Sequence, residues 1–195
     1  MTDLIFIRHA ETDMAGRFCG WSDPPVNASG RLQIEDVIAK LRSEPISIVF
    51  TSDLQRSVTT GRKLAQAHGV PCISRTALRE IDFGEWEGLT WQEIEKRDPD
   101  FAVRWAAEFP RLNVPRGESF ENFEARVLQE LTCLGTQATH GSIAVVTHAG
   151  VIRVALRKLC GMDEQTAWRV TKPYCCSFRI MRHAQPERRV QEVLV

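Results

Sequence analysis

Apolar and polar positions follow two alternating rhythms along this chain. Leu4-Ile5-Phe6-Ile7 is a continuous apolar run, the pattern of a strand buried on both faces in a parallel sheet. After the break at Pro24-Pro25, Asn27 can cap a helix that continues to about Arg42. Residues 46–51 give a second buried strand, and Asp53 is placed to cap a helix whose stripe includes Leu54, Val58, Leu64 and Ala65. His68-Gly69 ends that helix, and residues 70–74 predict another short strand. Ser119 opens a longer helix with Phe120, Phe123, Val127, Leu128, Leu131 and Leu134 on its apolar face. Residues 143–147 are the strongest later strand, and a helix follows to about Cys160. Residues 177–181 and 190–195 read as two closing strands. Between about 83 and 117 the rhythm breaks into short helices and loops, with Trp86, Trp91 and Trp105 among prolines 99, 110 and 115. The alternation predicts one α/β domain over 1–195, a mainly parallel central sheet covered by helices on both faces, with a small inserted helical and loop cap.

Composition narrows the function classes. The chain has 195 residues, 43% hydrophobic and 26% charged, as expected of a globular domain with one sizeable core. Formal net charge is zero, so neither nucleic acid nor an acidic membrane is an expected partner. No apolar run approaches the roughly 20 residues that span a bilayer. The first strand starts too early for a signal peptide, so a cytoplasmic location is expected. The six cysteines show no CxxC spacing, and adjacent Cys175 and Cys176 would face opposite sides of a strand. Reduced thiols and no metal are expected, and the assembly is read as a monomer or homodimer.

The chemistry concentrates where strands end. Arg8 and His9 follow the first strand, Arg56 lies on the first turn after the second, and His148 follows the 143–147 run. Glu80 falls in the loop after the third strand. In open α/β sheets, reactive groups gather at the carboxyl ends of strands. Singly, each has an ordinary structural reading; as a set they suit phosphoryl transfer, which needs positioning and neutralisation of developing charge. Glu85 and Glu87 are rival acids close to Glu80. Arg182-His183-Ala184 repeats the opening tripeptide without its continuation and is read as coincidence, and His68 and His140 need no role beyond helix ends.

Six stretches in order, 8–12, 17–23, 51–56, 78–88, 117–119 and 146–150, resemble the phosphoglycerate-mutase-like branch of the histidine phosphatase superfamily. The resemblance implies a nucleophilic His9, phosphate held by Arg8, Arg56 and His148, and Glu80 as proton donor and then base. It implies a small phosphate ester as substrate and no cofactor. Two positions depart from the pattern: Ala10 stands in a glycine slot, and Ala15 in the slot of a phosphate-binding asparagine. Cys19, Gly20 and Ser22 are the candidates to replace that lost hydrogen bond.

The compact cap favours hydrolysis over mutase chemistry, and residues 105–120 most resemble the α-ribazole phosphatase group of the family. A mutase-like or broad sugar-phosphate phosphatase is the alternative reading, and a non-catalytic phospho-ligand binder is the alternative of another class. The tryptophans are expected to form cap core rather than to meet substrate.

Overall fold

The computed structural model describes residues 2–137, 140–181 and 190–192. Its strands are β1 (Leu4–Arg8), β2 (Ile46–Thr51), β3 (Cys72–Ser74), β4 (Ser142–Thr147), β5 (Ser177–Ile180) and β6 (Val190–Glu192). They form one six-stranded sheet in the order β3-β2-β4-β1-β5-β6. β3, β2, β4 and β1 are mutually parallel, while β5 and β6 run antiparallel at one edge.

The apolar run of β1 works as an alternation across the pleat. Leu4 and Phe6 join the core on one face with Phe123, Val127 and Val151, and Ile5 and Ile7 join the other with Val37, Leu41 and Leu64. The helices supplying those partners are α1 (Ala28–Leu41) and α2 (Gln55–His68) on one side, α5 (Phe120–Gly135) and α6 (Ala149–Cys160) on the other. This is the two-sided α/β architecture that the sequence predicts. Asn27 caps α1 by accepting from Gly30 N–H at 2.8 Å, and Ser119 caps α5 by accepting from Asn122 N–H at 3.2 Å.

Some expectations change in detail. Asp53 does not cap α2: its carboxylate takes both prongs of Arg79 at 2.7 Å, and the first N–H of the helix, on Gln55, donates to Asp23 instead. The buried face of α2 is also more polar than its stripe implied. Arg56, Ser57, Thr60 and Gly61 are buried beside Leu64 and Ala65, whereas Val58 is half-exposed. The third strand is shorter than residues 70–74. A seven-residue helix, α7 (Glu164–Val170), was not expected; Asp163 caps it, and only Ala167 is buried, so its apolar period is too short to read. Residues 193–195 of the expected last strand and the Arg182-His183-Ala184 repeat lie outside the described residues. No disulfide joins the six cysteines. No helix among the described residues is long and apolar enough to cross a membrane.

The inserted segment carries α3 (Trp91–Arg97) and α4 (Pro99–Glu108). Thr90 and Glu93 form a reciprocal capping box on α3, and Asp98 caps α4. These helices pack around a separate small core of Trp86, Ile94, Ala102 and Val114, against which Phe18, Trp91 and Trp105 lie.

Candidate active site

Sheet register brings the two histidines together. Arg8 lies opposite Thr147, so the next residues, His9 and His148, leave neighbouring strands side by side, with ring centroids 5.0 Å apart. His9 N–H donates to Thr147 O at 2.8 Å and fixes that junction. His9 Nδ1 is 2.8 Å from the carbonyl of Ala10. A carbonyl can only accept, so Nδ1 carries the proton and Nε2 keeps its lone pair. Burial holds the His9 imidazole well below its ordinary 6.5, and the charges of Arg56 and Arg8 add to the effect. His148 is depressed likewise, by burial first and then by Arg56, His9, Arg8 and Arg126. Both rings are therefore neutral near pH 7.

Arg56 is fully buried and is held by a loop that collects its carbonyls around it. Its guanidinium donates to Ser22 O at 2.6 Å, Gly20 O at 2.7 Å and Cys19 O at 3.3 Å. That loop is in turn gathered by Glu87, whose carboxylate accepts the N–H groups of Gly20, Trp21 and Ser22, and of Phe83. The close approach leaves no room at position 20, where a Cβ would come within 2.1 Å of Ile81 O. Gly20 and Ser22 N–H groups are thus spent on Glu87, and the Cys19 thiol donates to Ser22 O at 3.7 Å. Glu85 is engaged outside the site, by Arg97 and Arg116.

Arg8 lies with its guanidinium 4.0 Å from the ring centre of Tyr174 and donates to the carbonyls of Thr171 and Lys172. Tyr174 also meets His9, ring centroids 5.7 Å apart. Nε of Arg8, Nε of Arg56 and Nδ1 of His148 are buried with no partner among the described residues. Such nitrogens are costly unless an acceptor arrives.

Glu80 is 9% exposed, and its carboxylate accepts from Gly150 N–H at 3.0 Å and its neighbour Ile81 N–H at 3.1 Å. The first turn of α6 thus meets the carboxylate directly. A Cβ at Gly150 would fall 2.1 Å from Glu80 Oε1, so this contact requires glycine. The backbone under Glu80 is held by Arg126 of α5. That guanidinium donates to the carbonyls of Ala77, Arg79 and Glu80 at 2.8–2.9 Å, and is fixed at its other edge by Glu118 at 2.7 and 2.8 Å.

Next to Glu80 a largely apolar cavity opens between α5, α6, α7 and the cap. Its wall includes Trp105, Phe109, Phe120, Val154 and Trp168, together with Arg153, Glu80 and, two residues after His148, Gly150. Trp105 therefore does more than fill the cap core, since it also lines this space. Trp86 and Trp91 do not line it.

The two departures from the family pattern have different surroundings. Ala10 is fully buried with Val26 and Ile34, where its methyl group adds to a small core. Ala15 is exposed in a turn whose N–H donates to Thr12 O at 3.2 Å. Glu11 ties the loop down by accepting from Asn27 at 3.1 Å and Gln33 at 3.5 Å, and Thr12 accepts locally from Met14 N–H. Sequence reasoning missed Tyr174, Arg126 and Arg153, none of which lies at a strand end or in a matched motif position. Among the described residues, no three His, Cys, Asp or Glu side chains form a group that could hold a metal ion.

Known proteins share both sequence and fold with this chain. A family model for the histidine phosphatase superfamily (branch 1) matches residues 4–194. Phosphoserine phosphatase 1 of Hydrogenobacter thermophilus is 28% identical over 170 residues, 86% of this chain and 81% of that protein. The adenosylcobalamin/alpha-ribazole phosphatase of Escherichia coli is 27% identical over 167 residues, 85% of this chain and 82% of that one. The solved alpha-ribazole phosphatase of Shigella flexneri aligns with a TM-score of 0.83 at 25% identity, covering 92% of this chain and 90% of its own.

Proposed function

Since the chain belongs to branch 1 of the histidine phosphatase superfamily, and is a phosphatase of that family, we propose that it hydrolyses small phosphate monoesters through a phosphohistidine on His9, with the leaving group seated in the aromatic cavity beside Glu80. Nε2 of neutral His9 attacks phosphorus in line, forming the N–P bond as the ester P–O bond breaks. Arg8, Arg56 and His148 bind the phosphoryl oxygens, and the three buried nitrogens without partners among the described residues support that role. Glu80 gives its proton to the departing alkoxide and, now ionised, takes one from the water that attacks the phosphohistidine. Hydrolysis returns Nε2, releases inorganic phosphate and reprotonates Glu80. Cys19, Gly20 and Ser22 serve this reaction by fixing Arg56 through their carbonyls; Glu87 holds that loop.

The observation that carries the reading of the leaving group is the apolar cavity meeting the Glu80 carboxylate. An apolar wall of indole and phenyl rings favours a flat, weakly hydrated body over a small zwitterion. Within the class, α-ribazole 5′-phosphate is the proposed substrate. Initial rates of phosphate release should give it kcat/KM at least about tenfold above phosphoserine, simple sugar phosphates and 3-phosphoglycerate. A better value on a sugar phosphate or phosphoserine sinks the substrate, and phosphate exchange within phosphoglycerate without release sinks hydrolysis. Acid-labile label on the wild type and none on His9→Ala is expected; no label and no turnover across the panel would mean a binder.

A further inference from the structure

Arg153 lies one helical turn beyond Gly150, on the same face of α6, and both residues line the cavity. The first contacts Glu80 through its N–H; the second brings a guanidinium to the next level of the wall. This guanidinium lies 3.4 Å from the ring centre of Trp168, and its Nε donates to Thr171 Oγ1 at 3.0 Å. Thr171 uses its carbonyl to hold Arg8, so one residue sets both arginines. Stacked on one face and anchored at one edge, Arg153 keeps both Nη groups without a partner among the described residues.

Three other charges of the wall have partners, and a fourth, the Asp82 carboxylate, accepts from Gly84 N–H at 2.8 Å. Arg157 pairs with Glu164, and Glu118 is taken by Arg126. Burial lowers the Arg153 guanidinium to about 10 despite the opposing charge of Glu80. When Glu80 carries the proton it is to donate, that opposing charge is gone. The Nη groups of this half-buried guanidinium line the cavity with donors still to give, and a molecule bound there supplies the acceptor.

We propose that Arg153 is a binding residue for the leaving group, its Nη pair donating to an oxygen acceptor carried near the ester oxygen, either a sugar hydroxyl or a carboxylate. The inference rests on the reading of the cavity as the seat of the leaving group. It explains how a mostly apolar pocket orients its occupant: the rings supply area and the guanidinium supplies direction.

The test compares α-ribazole 5′-phosphate, phosphoserine and phenyl phosphate on wild type and Arg153→Met, which keeps an unbranched apolar stem against Trp168. Phenyl phosphate fills the ring space but has no such acceptor, so the quantity read is kcat/KM on each acceptor substrate divided by that on phenyl phosphate. This ratio is insensitive to a loss of folded enzyme. It should fall by about 10- to 100-fold in the variant, the loss of one or two charge-assisted hydrogen bonds. Arg153→Lys, with a point charge but no fork, should recover part of it. A fall confined to α-ribazole 5′-phosphate assigns the acceptor as hydroxyl, and one confined to phosphoserine assigns it as carboxylate. Ratios within about threefold of wild type for both overturn the proposal while leaving the phosphatase reading intact. A wild type that releases phosphate from none of the three fails the parent reading, and this one with it.

Discussion

The histidine side of the site and the cavity side are built by different means. On the histidine side, three parallel strands end next to one another, and His9, His148 and Arg56 follow within a few residues of those ends. Position there follows from topology, and buried backbone fixes the side chains. On the cavity side, the wall comes from the cap, α5, α6 and α7, elements far apart in the chain. Glu80 stands on the boundary and belongs to both. On the function proposed above, the phosphate chemistry is held by the sheet, while discrimination among leaving groups falls to packing among helices and loops.

The sharpest way to separate the two sides is to remove the proposed proton donor. Glu80→Gln should lower kcat by about 10²- to 10⁴-fold on an alkyl phosphate, as general acid catalysis is worth that much. On an activated aryl phosphate, whose leaving group needs little protonation, the loss should be far smaller. Rates measured on a series of leaving groups check this, and equal losses across the series would remove Glu80 from its role.

A weaker break of the same kind lies at Arg126. Arg126→Met deletes the donors beneath Ala77, Arg79 and Glu80 and strands the Glu118 carboxylate. We expect roughly a tenfold fall in kcat on poor leaving groups, less on activated ones, together with about 2 kcal/mol of stability. A rate loss identical on all substrates would mean that Arg126 supports only the fold.

The histidine side was legible in the sequence because its logic is local: an apolar run, then a charged residue, repeated at strand ends. Glu80 was legible only through its place in a motif, since nothing local distinguishes it from Glu85 and Glu87. What separates them is tertiary, namely Gly150 N–H on Glu80, four backbone donors on Glu87 and surface arginines on Glu85. The same limit applies to Cys19, Gly20 and Ser22, where the chain order shows a loop near the strand ends but not that its carbonyls turn onto Arg56. Asp53 illustrates competition, because a good capping residue was taken by a better partner in Arg79. Arg153 and Tyr174 gave no signal, as each is placed at the site only by residues distant in sequence.

The cavity side can be disturbed alone. Trp105→Ala should raise KM for a ring-bearing substrate by about tenfold, from lost apolar contact, and change KM for a small sugar phosphate much less. Parallel Michaelis curves on the two substrates decide it. A larger effect on the small substrate would place Trp105 in support of the cap rather than against the leaving group.

The smallest expected effect returns to the histidine side and is read as stability. His9 and His148 are both held below 6.5 in the folded protein, chiefly by burial. In the unfolded chain they titrate near 6.5, so between the folded and unfolded values the unfolded state binds more protons. Stability from these neutral imidazoles is fully present above about 6.5 and is lost as pH falls through the folded values. The slope cannot exceed about 1.4 kcal/mol per pH unit for each group. The carboxylate of Asp53, lowered by Arg79, acts in a separate window below 3.8. Denaturant midpoints from pH 7.5 down to 5 should therefore fall for the wild type and fall less steeply for His148→Asn, which has no proton to take up. Equal slopes would mean that the ring of His148 is already free to charge in the fold, and that burial beside Arg56 and Arg8 does not hold it neutral.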